Sequence, residues 1–203
     1  RYIIDQGTLE LSRGNAGNDR VPFYSSAHEL NIQSEYLTAD LHKDSIFIGK
    51  SMASFLNKVP VTLESTHYFD RRDFERLQGL SSVNPLVMLM RVYVSYGESR
   101  YVPLSAITAL YGAAMSEESV LTLLYSLAEK GFVSYDPVTR LVEIREKVRH
   151  YVESYFDQRD YDRIRLVSDT SAVNGFLHLD NQQISLQGVR KVELSPFRRV
   201  GLL

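Results

Sequence analysis

Three stretches of the chain carry the same short cadence of apolar and polar positions. Tyr2 and Ile4 alternate, a polar interval follows, then Leu9 and Leu11 alternate, with Gly14 soon after. The cadence returns at Ala39 and Leu41, His42 to Ser45, Ile46 and Ile48, then Gly49. It returns again at Leu177 and Leu179, Asp180 to Gln183, Ile184 and Leu186, then Gly188. Period-two alternation marks strands with one buried face, and the polar interval supplies a turn. The constant spacing admits a repeated β-hairpin or a coil of a β-solenoid. A plain antiparallel β-layer produces the same pairs more commonly, and under either reading these segments are architecture.

From about Asn84 to Tyr155 the spacing becomes helical. Asn84 can cap a helix that starts with Pro85 and turns Leu86, Val87, Met90 and Val94 inward. Arg100 to Val102 is extended. A second helix over Leu104 to Tyr111 buries Leu104, Ile107, Leu110 and Tyr111. Ser116 then caps a third helix with Glu117 and Glu118 in its first turn and Val120, Leu123, Leu124 and Leu127 on its apolar face. Gly131 stops it. Phe132 to Tyr135, a turn at Asp136-Pro137 and Arg140 to Ile144 read as a hairpin, followed by a closing helix with the stripe Val148, Tyr151, Val152, Tyr155 and Phe156.

Helix, short strand, helix, turn, helix and hairpin is the winged helix-turn-helix order. Val102 to Ile144 resembles the winged-helix domains of MarR-like and ArsR-like bacterial regulators. The resemblance is carried chiefly by Ser119-Val120-Leu121-Thr122-Leu123-Leu124-Tyr125-Ser126-Leu127-Ala128-Glu129-Lys130-Gly131-Phe132-Val133. It implies that the third helix is the counterpart of a recognition helix and the hairpin that of a wing. It does not settle function, because winged helices also serve as protein-interaction modules.

The outward positions of the third helix are Glu118, Thr122, Tyr125, Ser126 and Glu129, and none is a side chain that makes the usual bidentate base contacts. Glu117 and Glu118 would stand where phosphates approach. Between Ser81 and Asp157 seven basic residues face nine acidic ones, too poor a cation supply for strong phosphate binding. These five residues are therefore expected to form a protein-interaction face. The alternative is a DNA-binding regulator using Arg140, Arg145, Lys147 and Arg149 on the wing and closing helix. Arg159, Arg163 and Arg165, interleaved with tyrosines, extend that basic run, although Glu146, Glu153, Asp157, Asp160 and Asp162 lie among them.

Charge and composition remove other classes. The chain has 203 residues, a formal net charge of −2 and no cysteine, which excludes disulfide scaffolds, thiolate zinc sites and cysteine nucleophiles. The longest apolar run, Leu86 to Met90, is far too short to span a membrane. The five histidines show no metal-site spacing, no phosphate-binding glycine loop occurs beyond the compositional likeness of Gly14-Asn15-Ala16-Gly17, and Asp157, Asp160 and Asp162 lack the rest of a calcium loop. Asp70-Arg71-Arg72-Asp73 reads as a helix start. A carbohydrate- or ligand-binding module would need a pocket lined by Tyr36, Tyr68 and Phe69.

The expected fold is α+β: a winged-helix-like helical unit over 66–160, flanked by or inserted into antiparallel β-rich segments over 1–65 and 161–203 that pack together, with short β-repeats as one option. The expected function is a non-enzymatic structural or protein-interaction module of a larger bacterial protein, with no catalytic residues, metal or cofactor. Its partner is a protein or the remainder of the parent chain, and the charge pattern speaks against nucleic acid. Arg1-Tyr2-Ile3-Ile4 and Gly201-Leu202-Leu203 read as cuts through a longer polypeptide, and cell envelope and cytoplasm are not distinguished.

Overall fold

The computed structural model describes residues 2–3, 7–14, 20–49, 60–79, 83–170 and 173–197. The first strands are β1 (Tyr2–Ile3), β2 (Thr8–Ser12), β3 (Phe23–Ser25), β4 (Leu30–Gln33), β5 (Tyr36–Asp40), β6 (Ser45–Ile48) and β7 (Val61–Ser65). Next come α1 (Arg71–Gln78), α2 (Pro85–Ser95), β8 (Tyr101–Pro103), α3 (Leu104–Tyr111), α4 (Glu117–Glu129), β9 (Val133–Asp136), β10 (Leu141–Ile144) and α5 (Glu146–Tyr155). The chain closes through β11 (Tyr161–Ser168), β12 (Gly175–His178), β13 (Gln183–Leu186) and β14 (Val189–Phe197). It divides into two compact units: Arg1–Arg13, Pro22–Thr66 and Ile164–Ser195 form one, and Gly14–Val21, His67–Arg163 and Pro196–Leu203 the other.

In the first unit the three alternating stretches are three hairpins, β1–β2, β5–β6 and β12–β13. Their closing pairs, Ile3 with Thr8, Asp40 with Ser45 and His178 with Gln183, enclose loops of equal length. The last loop residue is left-handed each time: Gly7 at φ 57°, Asp44 at 45° and Gln182 at 55°. Asp tolerates that region because its short side chain bonds locally. The hairpins lie side by side in a six-stranded sheet, β1-β2-β5-β6-β12-β13. Each loop also bonds the next: Leu41 N–H donates to Gly7 O at 2.9 Å and Leu179 N–H to Asp44 O at 2.8 Å. After the third hairpin the equivalent carbonyl, Gln182 O, meets His28 Nε2 at 3.0 Å, while Ser25 Oγ holds His28 Nδ1 at 2.8 Å.

A five-stranded sheet, β14-β11-β7-β4-β3, is the second layer of this unit. Ile32, Val61 and Leu63 from it meet Leu37, Ile48 and Leu177 from the six-stranded sheet in one buried cluster. Gly49 follows β6 at φ 96°, where a Cβ would overlap the amide oxygen of buried Asn174. Glycine is therefore required there on both counts.

The second unit carries a three-stranded sheet, β8-β10-β9, and the five helices. Asn84 caps α2: its Oδ1 accepts from Leu86 N at 2.9 Å and its Nδ2 donates to Phe74 O at 2.6 Å. The core runs from Tyr68, Phe69 and Phe74 through Leu86, Leu89 and Val92 to Leu124, Leu127, Val142, Val148 and Tyr151.

The expected α+β class is corrected by this architecture. Three antiparallel sheets of six, three and five strands, with five short helices, make the chain β-rich and closer to an all-β molecule than to a helical unit with β flanks. The extended piece before α3 and the hairpin after α4 join into one three-stranded sheet, and the flanking stretches supply two further sheets, of six and five strands. The closing helix ends at Tyr155, and Tyr161–Ser168 is an eight-residue strand paired with β7.

Candidate interaction face

α4 forms because Ser116 accepts from Ser119 N at 3.2 Å, because Glu117 and Glu118 oppose the positive end of the helix dipole, and because apolar residues recur on one side. Val120, Leu124, Leu127 and Ala128 are buried. That spacing turns Glu118, Thr122, Tyr125, Ser126 and Glu129 together onto the opposite face, and all five are exposed. Thr122 Oγ1 bonds back to Glu118 O at 3.0 Å. The Tyr125 ring meets Tyr135 of β9 edge-on at 6.1 Å. Glu129 pairs with Arg20 at 3.4 Å, a partner supplied by a segment far away in sequence. The face thus has a carboxylate at each end and hydroxyls between, with no cation of its own.

The four candidate cations do not converge. Arg140, left-handed at φ 56° at the end of the β9–β10 loop, reaches the α4 N-terminus and donates to Glu117 at 2.6 Å. Lys147 donates to Lys130 O at 2.9 Å and lies over the Phe132 and Tyr151 rings at 5.0 and 5.7 Å. Arg149 donates to Glu153 at 2.6 Å, a bond that raises its pKa. Arg145 sits 3.8 Å from Glu143, and burial lowers its pKa. Arg145 and Arg149 share the lining of one cleft, together with Arg100. Sequence spacing gave no sign of Arg100. The link is the β8–β10 register, which pairs Tyr101 with Glu143 and so brings Arg100 to that carboxylate at 2.6 Å.

The aromatic alternative is overturned by burial. Tyr68 and Phe69 are 0% and 2% exposed and belong to the core, where Phe69 meets Tyr151 and Tyr161 edge-on. Tyr36 lies half-buried on β5 in the other unit. Asp70 caps α1 through Arg72 N at 2.8 Å and pairs with Arg163 at 2.5 Å. Asn15, Ala16 and Gly17 of the glycine-containing loop lie outside the described residues.

His150 is 2% exposed, with Nε2 bonded to His67 O at 2.9 Å and Nδ1 without a hydrogen-bond partner. Burial pushes its pKa down to about 4, so the ring is neutral and Nε2 donates. Among the described residues no group of three or more His, Asp or Glu side chains is placed to hold a metal ion, and no helix is long and apolar enough to cross a membrane. No family model, no curated protein and no solved structure matches the chain.

Proposed function

We propose that the chain is a non-enzymatic module of a larger bacterial protein that works by contact with another protein, through the exposed face of α4. The observation that carries this reading is the chemistry of that face, which presents Glu118, Thr122, Tyr125, Ser126 and Glu129, with no cation among them and Arg20 held by Glu129. Such a surface suits a partner bearing hydrogen-bond donors and positive charge, since unlike charges steer docking and a half-exposed tyrosine supplies contact area at small entropic cost. A polyanion is a poor fit, because Glu118 would repel its phosphates and Arg140 is already held by Glu117. The resemblance of Val102–Ile144 to winged-helix domains belongs to this proposal. It rests on the order of β8, α3, α4, β9 and β10 along the chain.

The test is a photoreactive side chain placed at Ser126, with Glu75 on α1 as an exposed control, crosslinked in cells. Protein adducts at Ser126 that are absent at Glu75 and lost on Thr122→Arg support the reading. Nucleic-acid adducts at Ser126, or no adduct beyond the control, overturn it.

A further inference from the structure

Arg100, Arg145 and Arg149 line one cleft of about 140 Å³ together with Met90, Tyr93 and Glu146. That volume is well below the roughly 300 Å³ at which small-molecule pockets begin, so the cleft suits a single compact group. Three arginines line it: Arg100 just before β8, Arg145 between β10 and α5, and Arg149 near the start of α5. Their charge is incompletely matched. One carboxylate, Glu143, serves both Arg100 at 2.6 Å and Arg145 at 3.8 Å. The latter distance is beyond hydrogen-bond reach, and Arg145 Nε is buried with no hydrogen-bond acceptor. Glu146 is drawn to Arg159 at 2.7 Å, and Arg149 uses Nε on Glu153.

Arg145 is also the N-cap position of α5, and its side chain makes no capping bond there. An anion in the cleft would therefore face the positive end of a ten-residue helix. Guanidinium forks match the oxygens of phosphate and carboxylate alike. Three guanidiniums on the lining of one cleft favour a dianion over a monoanion.

We propose that the Arg100–Arg145–Arg149 cleft binds a phosphoryl group, carried either by free phosphate or by a phosphorylated peptide. The site is separate from the α4 face and stands or falls independently of it.

The test follows the Arg145 Nε–H and the Glu146 amide by NMR on the whole chain, at constant ionic strength set with chloride. Inorganic phosphate is expected to shift both signals saturably. Arg100→Gln and Arg149→Gln should each weaken binding about tenfold or more, the loss expected for one charge-assisted bond. Arg140→Gln, outside the cleft, should leave it unchanged. Arg149→Lys, which keeps charge but not the fork, should fall between, and melting curves check that each variant is folded. A phosphoserine peptide that binds more tightly than phosphate assigns a peptide-borne group, and phosphate binding without peptide binding assigns the free ion. Shifts that never saturate, or saturable binding that survives both glutamine substitutions, overturn the proposal.

Discussion

Glu64 on β7 is 3% exposed, and both Nε and Nη2 of Arg165 donate to its Oε1, at 2.8 and 2.6 Å. Burying a carboxylate is tolerable only with that partner in place. Arg165→Met should therefore lower stability by about 3–5 kcal/mol in urea melts, while Glu64→Leu with Arg165→Met should recover most of it. A loss below about 1 kcal/mol for the single change would show the pair to be dispensable. His150 makes a second prediction. Its folded pKa of about 4 lies below the ordinary 6.5, so between those values the unfolded chain binds a proton that the folded chain does not. The stabilisation is complete above pH 6.5 and is lost as the pH falls toward 4. From pH 7 to 4.5 the loss amounts to about 2–3 kcal/mol. His150→Gln should flatten the melting profile across that window, and an unchanged slope would contradict the assignment. At this scale the α4 face was legible, because helical spacing alone sorts its residues. Glu64–Arg165 and the burial of Tyr68 and Phe69 were not, since their partners, such as Tyr151, lie many tens of residues away in sequence.

Asn84 shows how one residue sets an element. Its side chain caps α2 at Leu86 N and ties that helix start to the middle of α1 at Phe74 O, in a site 4% exposed. Asn84→Ala removes the cap and the link to Phe74 O, so a cost of about 1–3 kcal/mol is expected from thermal melts. Asn84→Asp keeps the cap acceptor and loses only the donor, and it should cost less. The reverse order would refute this division of labour. The α2 cap was readable in the sequence and its face was not. Leu86, Leu89 and Val92 are buried, whereas Val94 is 55% exposed. Val87 and Met90 are only partly covered. Arg91 is the one charge on that helix, so spacing admits more than one apolar face, and packing against α3 and α5 chooses. In α3 likewise, Leu104 and Ile107 are buried but Leu110 is 41% exposed. The hairpins were legible because their turns keep a fixed length. Strands β7, β11 and β14 escaped notice: β11 alternates charged and apolar residues without a strong turn signal, and β14 carries exposed Val189, Val192 and Leu194.

Over the whole molecule, two separate cores hold the chain. Among the described residues, six buried apolar side chains form the first, whereas the second draws all its fully buried side chains from Tyr68 to Val152. A core supplied by one continuous stretch does not need the rest of the chain to close it. The segment 67–163 expressed alone is therefore expected to melt cooperatively and to retain slow amide exchange in α2, α4 and α5. A non-cooperative profile would show that its core depends on residues elsewhere. The sequence could not locate Gly14, Arg20 and Val21, which group with the second unit although they lie between strands of the first along the chain. The Arg20–Glu129 pair and the packing of Val21 show that placement.

The central claim is that this chain meets protein and not nucleic acid, because the α4 face is acidic and Arg140 and Lys147 are held by Glu117 and by Lys130 O. A labelled DNA duplex titrated with the intact chain at about 50 and about 200 mM salt tests it directly, since cation–phosphate binding falls steeply across that range. The account predicts flat fluorescence anisotropy at both salt concentrations. Micromolar binding at the lower salt that collapses at the higher would contradict it, and would place Arg140, Arg145, Lys147 and Arg149 on a nucleic-acid surface.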